Sequence, residues 1–200
     1  VFEVLDFGLS PFETMWAEQH RLVEARLAKQ IPNTVLLGEH LPVYTRGRRS
    51  QKTPPPTHLP HPVVDIERGG EVTWHGPGQL MVYAICYLPK PDLHAHVRWL
   101  EQLGIDALTG FGLEAQRMPG LTGVWIETDD GPRKVGSIGV AVKRWVTYHG
   151  LALNVTNDLT PFAAIDPCGL SAQVMTRAAD HAPALTVSAL ADAIKSGLRG

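Results

Sequence analysis

The chain reads as an α+β domain with a mixed, mostly antiparallel sheet flanked by helices. Three observations predict this. Short apolar or alternating runs bounded by Gly, Pro and Asp recur from residue 33 to residue 155. Helical stripes occur near the start, in the middle and at the end. The strand-like runs in the middle follow one another by short turns, as antiparallel neighbours do.

In order, Phe2 to Gly8 alternates imperfectly and suggests a first strand. Ser10-Pro11-Phe12-Glu13 has the residue order of a helix start, with Ser at the cap, Pro in the first turn and Glu three residues on. Met15, Trp16, Leu22, Val23 and Leu27 then form a rough helical stripe up to Ala28, with Glu18, Arg21 and Glu24 on the wet side. Asn33 to Glu39 is the next strand, followed directly by His40 to Thr45. Residues 46–62 carry Arg46, Arg48, Arg49 and Lys52 and then five prolines, and so form a loop. Val63 to Glu67 alternates as a strand. Leu80 to Leu88 is a nearly continuous apolar run, hence a buried strand. His94 to Gly110 is helical. Leu113 to Arg117, Gly123 to Glu127, Arg133 to Lys143 and Trp145 to Val155 are strands, the last two a hairpin with Arg144 near its turn. Pro161 to Ile165 is a short helical turn. Val187 to Leu198 is a last helix, capped by Thr186.

The totals set bounds. Two hundred residues make one domain, taken here as 1–200, long enough to bury a core without disulfides. The net charge of −2 gives no reason to expect nucleic acid. No basic segment followed by an apolar core opens the chain, and no run is long enough to span a bilayer, so a cytoplasmic protein that is not embedded in a membrane is expected. Neither Cys86 nor Cys168 has metal-ligand spacing, so no metal is expected. Cys86, inside the apolar run, is most simply a small buried hydrophobe.

The chemistry-bearing stretch is Arg68-Gly69-Gly70-Glu71-Val72-Thr73-Trp74-His75-Gly76-Pro77-Gly78-Gln79. A Gly/Pro cluster between two strands is ordinarily a hairpin. This one also holds polar, chemically able side chains, which makes a binding loop competitive. It lacks the GxxxxGK[ST] pattern, and Gly69-Gly70 opens no helix, so the cluster suits an extended, uncharged ligand at least as well as a phosphate. Cys168, in Asp166-Pro167-Cys168-Gly169, is the only plausible thiol nucleophile, although a lone Cys in such a turn is more often structural. Lys134 opens a strand. Such a lysine is ordinarily solvated, but a buried one has a lowered pKa and can act as a base, and both readings stand at this stage. His75 and His149 each sit between an aromatic residue and a glycine.

Four ordered motifs carry a resemblance: Arg68 to Gln79, then Lys134-Val135-Gly136-Ser137-Ile138-Gly139, then His149-Gly150-Leu151-Ala152-Leu153-Asn154, then Pro167-Cys168-Gly169-Leu170. Together they resemble the lipoyl(octanoyl) transferase family, whose fold is shared with biotin and lipoate protein ligases. The resemblance implies transfer of an octanoyl group from octanoyl-acyl carrier protein to a lysine of a lipoyl domain, the first step of lipoate synthesis. Acceptors would be the lipoyl domains of 2-oxoacid dehydrogenase complexes and the glycine cleavage H protein. By the same resemblance, Cys168 is the acyl-thioester nucleophile and Lys134 lowers its pKa and serves as base. Arg68, Gly69, Gly70, Glu71, Val72, Thr73, Trp74 and His75, with Ser137, Ile138, Gly139, Gly150, Leu151 and Ala152, line the acyl site. Gln79 and His149 position rather than react. No cofactor is required, and the expected state is a monomer. The glycines are expected to leave room for the eight-carbon chain, and the basic residues Arg46, Arg48, Arg49 and Lys52, or Lys143 and Arg144, to face the acidic carrier. Rival readings are an ATP-dependent ligase on the same fold, a non-catalytic acyl- or lipoyl-domain-binding protein, and an enzyme that moves octanoyl groups between lipoyl-domain proteins.

Overall fold

The computed structural model describes residues 2–165 and 174–199. Ten strands are named: β1 (Phe2–Ser10), β2 (Asn33–His40), β3 (Val43–Arg46), β4 (Val63–Asp65), β5 (Val72–His75), β6 (Gln79–Ile85), β7 (Ala115–Met118), β8 (Leu121–Ile126), β9 (Arg133–Lys143) and β10 (Val146–Asn154). The α-helices are α1 (Phe12–Leu27), α2 (Leu93–Thr109) and α3 (Val187–Gly197). Short 3₁₀ turns occupy Ser50–Lys52, Thr160–Ala164 and Ala178–Asp180.

Seven strands form the main sheet in the order β1-β2-β6-β10-β9-β8-β7. The β1–β2 pair is parallel and the other neighbours are antiparallel. A second, three-stranded sheet has the order β4-β3-β5. The mixed, mostly antiparallel α+β class is therefore the observed one.

Alternation along the strands divides the core into two layers. Leu80, Val82 and Ala84 of β6 join Leu151 and Leu153 of β10 in the larger cluster, which Leu100, Leu103 and Leu108 of α2 and Leu190 and Ile194 of α3 close. Met81, Tyr83 and Ile85 face the opposite side with Ala152 and Tyr148, under Met15, Leu22 and Val23 of α1. One helix covers one face and two cover the other. Cys86 is buried in the larger cluster, and burial pushes its thiol up to about 12, so it is no nucleophile.

The elements depart from sequence expectation at three places. Ser10 does not cap α1: its hydroxyl donates to the Phe7 carbonyl, and Pro11 occupies the cap without a side-chain bond. Helix α2 starts at Leu93, one residue before the expected His94, and is capped by Asp92, whose carboxylate accepts from the Ala95 N–H. The stretch 68–79 is not a plain hairpin loop. Its middle is strand β5, which pairs with β3 in the small sheet. Thr186 caps α3 as expected, accepting from Ala189 N–H.

Candidate active site

The small sheet lies against the α1 side of the main sheet, and a narrow slot runs between them. Its walls include Phe12 of α1, Arg68, Gly70, Thr73 and His75 of the glycine-rich stretch, Met81 and Tyr83 of β6, Ser137 to Gly139 of β9, and His149, Gly150 and Ala152 of β10. Three segments far apart in sequence thus meet in one slot. Of the residues assigned to the acyl site by resemblance, Trp74 and Leu151 face away. Trp74 packs edge-on against Phe162, and Leu151 is buried in the opposite core. Gly69 and Glu71 line a second, more open cavity of about 490 Å³, which shares Gly70, Ile138 and Gly139 with the slot. Val72 borders neither of these and lines a separate depression beside Arg46 and Pro54.

Lys134 lines the second cavity and is 4% exposed. The buried alternative is the one realised. Its ammonium lies 5.7 Å from the Trp125 ring centroid, on the neighbouring strand β8. Gly123 makes the space: with φ at +135°, a Cβ there would fall 2.7 Å from Lys134 Cε and collide with the Gly136 carbonyl. Glu101, fully buried in α2, holds that point of β8 by accepting from Gly123 N–H. Arg98 and Arg117 balance its charge.

At Gly139, which lines both cavities, a Cβ would lie 2.7 Å from Arg68 Cδ, so the missing side chain gives room to the Arg68 stem. Arg68, lying across β9, donates to the Thr45 carbonyl and hydroxyl.

Among the polar groups at and beside the slot, His75 and His40 are neutral and held in fixed tautomers. The amide nitrogen of Gln79 donates to Trp74 O and Asn154 Oδ1, so its oxygen accepts from His75 Nδ1–H at 2.7 Å. Thr45 Oγ1 donates to the remaining His75 nitrogen, Nε2, at 3.2 Å. Burial, with help from nearby cationic groups, holds His75 down to about 3. It is therefore neutral near pH 7, with its one ring proton on Nδ1. His40 behaves alike: Nδ1 donates to Ser10 O, Nε2 accepts from Tyr83 Oη at 2.7 Å, and burial lowers it to about 4. Desolvation also pushes the Tyr83 phenol up, so the pair stays neutral.

His149 is the strained member. It adopts φ +58° on a strand, and its N–H is held by Gln19 Oε1 from α1. Its buried Nε2 makes no hydrogen bond and stands 3.6 Å from a Glu67 carboxylate oxygen. Burial lowers its pKa. That proximity holds Glu67 down to about 2, Trp16 Nε1–H adding a direct bond.

Beyond the slot the hydrogen bonds continue. Asn154, the last residue of β10, accepts from Gln79 and donates through Nδ2 to Thr176 O at 3.0 Å. The Thr176 N–H donates to Lys134 O, and Met175 forms a parallel bridge with Lys134. Cys168 lies outside the described residues, as do Pro167, Gly169 and Leu170. In sequence it stands 175 − 168 = 7 residues before the Met175 that pairs with Lys134.

Sequence reading missed His40, Tyr83, Thr45, Glu67 and Asn154 as parts of this site. Asn154 carried a signal, a lone amide ending an apolar run. His40 and Tyr83 carried none, since their partnership spans 43 residues.

The basic residues separate. Arg46 is buried at 2% exposed, pairs with Asp65 and donates to Ser50 O and Thr53 O, so it braces its own loop and offers nothing to a carrier. Arg48, Arg49 and Lys52 are exposed, Arg49 lying 3.5 Å from Glu71. Lys143 and Arg144 both face Glu24.

Comparison with known proteins gives a consistent set of relatives. The family described as lipoyl protein ligase A/B catalytic domain matches residues 11–199. An octanoyltransferase of Acidothermus cellulolyticus is 48% identical over 82% of this chain and 74% of its own. One of Salinispora tropica is 47% identical over 90% of this chain and 86% of its own, and one of Geobacter sulfurreducens 43% over 99% and 83%. In structure, a bipartite lipoate protein ligase of Thermoplasma acidophilum superposes with a TM-score of 0.74 at 15% identity, covering 98% of this chain and 82% of that one. A lipoate-protein ligase A bound with ATP gives 0.73 at 12%, covering 98% and 84%. At these identities the structural likeness speaks to the fold.

Proposed function

The chain belongs to the lipoyl protein ligase A/B catalytic-domain family, among the octanoyltransferases, and on that premise we propose that it moves an octanoyl group from octanoyl-acyl carrier protein to a lysine of a lipoyl domain through a Cys168 thioester. The observation that carries this reading is the burial of Lys134 in the cavity that adjoins the slot, with its backbone paired to the segment following Cys168 in the chain.

The chemistry is an exchange of acyl bonds. Lys134 takes the Cys168 proton. The thiolate attacks the donor's carbonyl carbon, a new C–S bond forms, and the donor's C–S bond breaks. The departing carrier thiolate recovers a proton from Lys134. In the second half the acceptor lysine, as a free amine, attacks the octanoyl-Cys168 carbonyl. A C–N bond forms, the Cys168 thiolate leaves, and the proton lost by the amine passes to Lys134. A thioester is exchanged for an amide, so the sequence runs without ATP. The slot takes the acyl tail: burial contributes roughly 0.8 kcal/mol per CH₂. Phe12, Met81, Ile138 and Ala152 supply apolar wall, His75 is neutral there, and the Arg68 guanidinium is engaged by the Thr45 carbonyl and hydroxyl.

The acceptors are lipoyl domains of 2-oxoacid dehydrogenase complexes and the glycine cleavage H protein. On this reading the protein acts as a monomer in the cytoplasm; no helix among the described residues is long and apolar enough to cross a membrane. The test is an ATP-free reaction of octanoyl-carrier protein, a lipoyl domain and this chain, with octanoylation of the domain read by mass. Transfer is expected. Transfer only when ATP and free octanoate replace the carrier would make the chain a ligase instead. Lys134→Ala is expected to slow acyl loading at least about 100-fold, the scale of a positioned acid–base group. Wild-type loading by that variant would remove Lys134 from the mechanism.

A further inference from the structure

The hydrogen bonds of the site run in one sense across two functional centres. His75 in the slot donates to Gln79, Gln79 to Asn154, Asn154 to Thr176 O, and Thr176 N–H to Lys134 O, at 2.7, 2.9, 3.0 and 2.9 Å. Each link fixes the orientation of the next, because each amide spends its oxygen on the donor before it and its nitrogen on the acceptor after it. Asn154 is where three segments converge. It takes Gln79 from the glycine-rich stretch and Asn157 from the turn after β10, and it holds Thr176 from the segment that follows Cys168.

We propose that Asn154 is a positioning residue for acyl transfer, whose side-chain amide locks the 174–176 segment onto the Lys134 strand and joins it to the relay that orients His75 in the slot. This rests on the reading that Cys168 and Lys134 form the reacting pair.

Two features separate this from an ordinary buried asparagine. Asn154 is 1% exposed and ends a run whose neighbours Leu151 and Leu153 are fully buried, where an aliphatic residue would pack without an amide to satisfy. Its donor also goes to a carbonyl of a segment that belongs to no named strand and that meets Lys134 at the Met175 bridge and the Thr176 N–H. Without the amide, Thr176 O loses its side-chain donor, and the hold of the segment on the Lys134 strand is weakened. Reacting groups displaced by about 1 Å can lose on the order of 100-fold in rate. The slot does not include Asn154, so binding of the acyl tail is not expected to follow.

Asn154→Asp is the discriminating change. It keeps the acceptor for Gln79 and turns the donor facing Thr176 O into a second oxygen, at the same size. In single-turnover loading from octanoyl-carrier protein, the maximal rate is expected to fall tenfold or more, while the donor concentration at half-maximal rate stays within twofold. Gln79→Glu, which keeps the bond to His75 but loses the one to Asn154, is expected to fall in between. In the wild-type protein, the Asn154 side-chain amide protons are expected to exchange slowly with solvent and to shift in the NMR spectrum when the enzyme is acyl-loaded. A folded Asn154→Asp variant that loads at the wild-type rate overturns the proposal. So does a wild-type side-chain amide that exchanges freely and ignores loading, which decides the matter even where the variant does not fold. If the wild-type chain itself forms no octanoyl adduct, the underlying reading has failed. If it does and the variant matches it, only the positioning role has.

Discussion

Lys134 shows how single residues are placed by partners the sequence does not advertise. Nothing in Arg133-Lys134-Val135 distinguishes a solvated strand opener from a buried one. Burial is decided on β8, where Gly123 leaves room and Trp125 presents its ring. Gly123→Ala is the corresponding test. Its φ of +135° is open to glycine alone, so the alanine variant is expected to lose about 1–3 kcal/mol of stability in denaturant unfolding. The methyl group would also push Lys134 Cε, so any folded fraction is expected to load acyl groups slowly. Unchanged stability and loading together would show that Gly123 does not decide the placing of the lysine. Arg46 illustrates the opposite error. A run of basic residues reads as a wet patch, yet its first member turns inward to brace residues 50–53 through their carbonyls.

Elements were legible where hydrophobic period dominates. The apolar run of β6, the hairpin of β9 and β10, and helices α1, α2 and α3 lie within a few residues of where alternation and helical stripes put them. The short strand β5 was not legible. Four residues among glycines carry no period, and only pairing with β3 makes them a strand. The junctions between elements are held by neutral buried histidines, and this has a pH signature. His40 joins β2 to β1 and β6, and His75 joins β5 to β3, with folded values near 4 and 3 against an ordinary 6.5. His96 in α2 is lowered to about 4 by burial. The unfolded chain therefore binds more protons than the native one below pH 6.5. The stabilisation from neutral burial is fully present above that value and is lost as pH falls toward 4, by up to about 1.4 kcal/mol per pH unit for each histidine. Chemical denaturation across pH 7 to 4.5 checks this: stability is expected to drop steadily, with a shallower slope in His40→Gln. A flat profile would mean these rings are not buried neutral.

At the scale of the molecule, one architecture serves two chemistries. The superposed solved structures are ligases, one of them bound with ATP, while the relatives at 43–48% identity are octanoyltransferases. The α+β class was legible because its strands and helices announce themselves separately. The two-sided layering, with α1 opposite α2 and α3, follows from strand order and was not. Nor was the meeting of residues 68–75, 137–139 and 149–152 in one slot, which motif resemblance supplied and periodicity did not. Surface charge is a further whole-molecule matter. Arg48 and Lys52 remain exposed, Arg49 lines the more open cavity next to Glu71, and Lys143 and Arg144 are partly neutralised by Glu24. Reversing Arg48 and Lys52 to Glu is expected to lower the rate of transfer from the acidic carrier several-fold at low salt and to flatten its salt dependence. An unaltered salt dependence would place carrier docking elsewhere. The central claim, that the chain carries its substrate as a thioester on Cys168, is tested most directly by intact-protein mass after incubation with octanoyl-carrier protein in the absence of ATP. The account predicts one added octanoyl group, mapped to Cys168, labile to hydroxylamine and absent from Cys168→Ala. No adduct on the wild-type chain, or an equal adduct on Cys168→Ala, would contradict it.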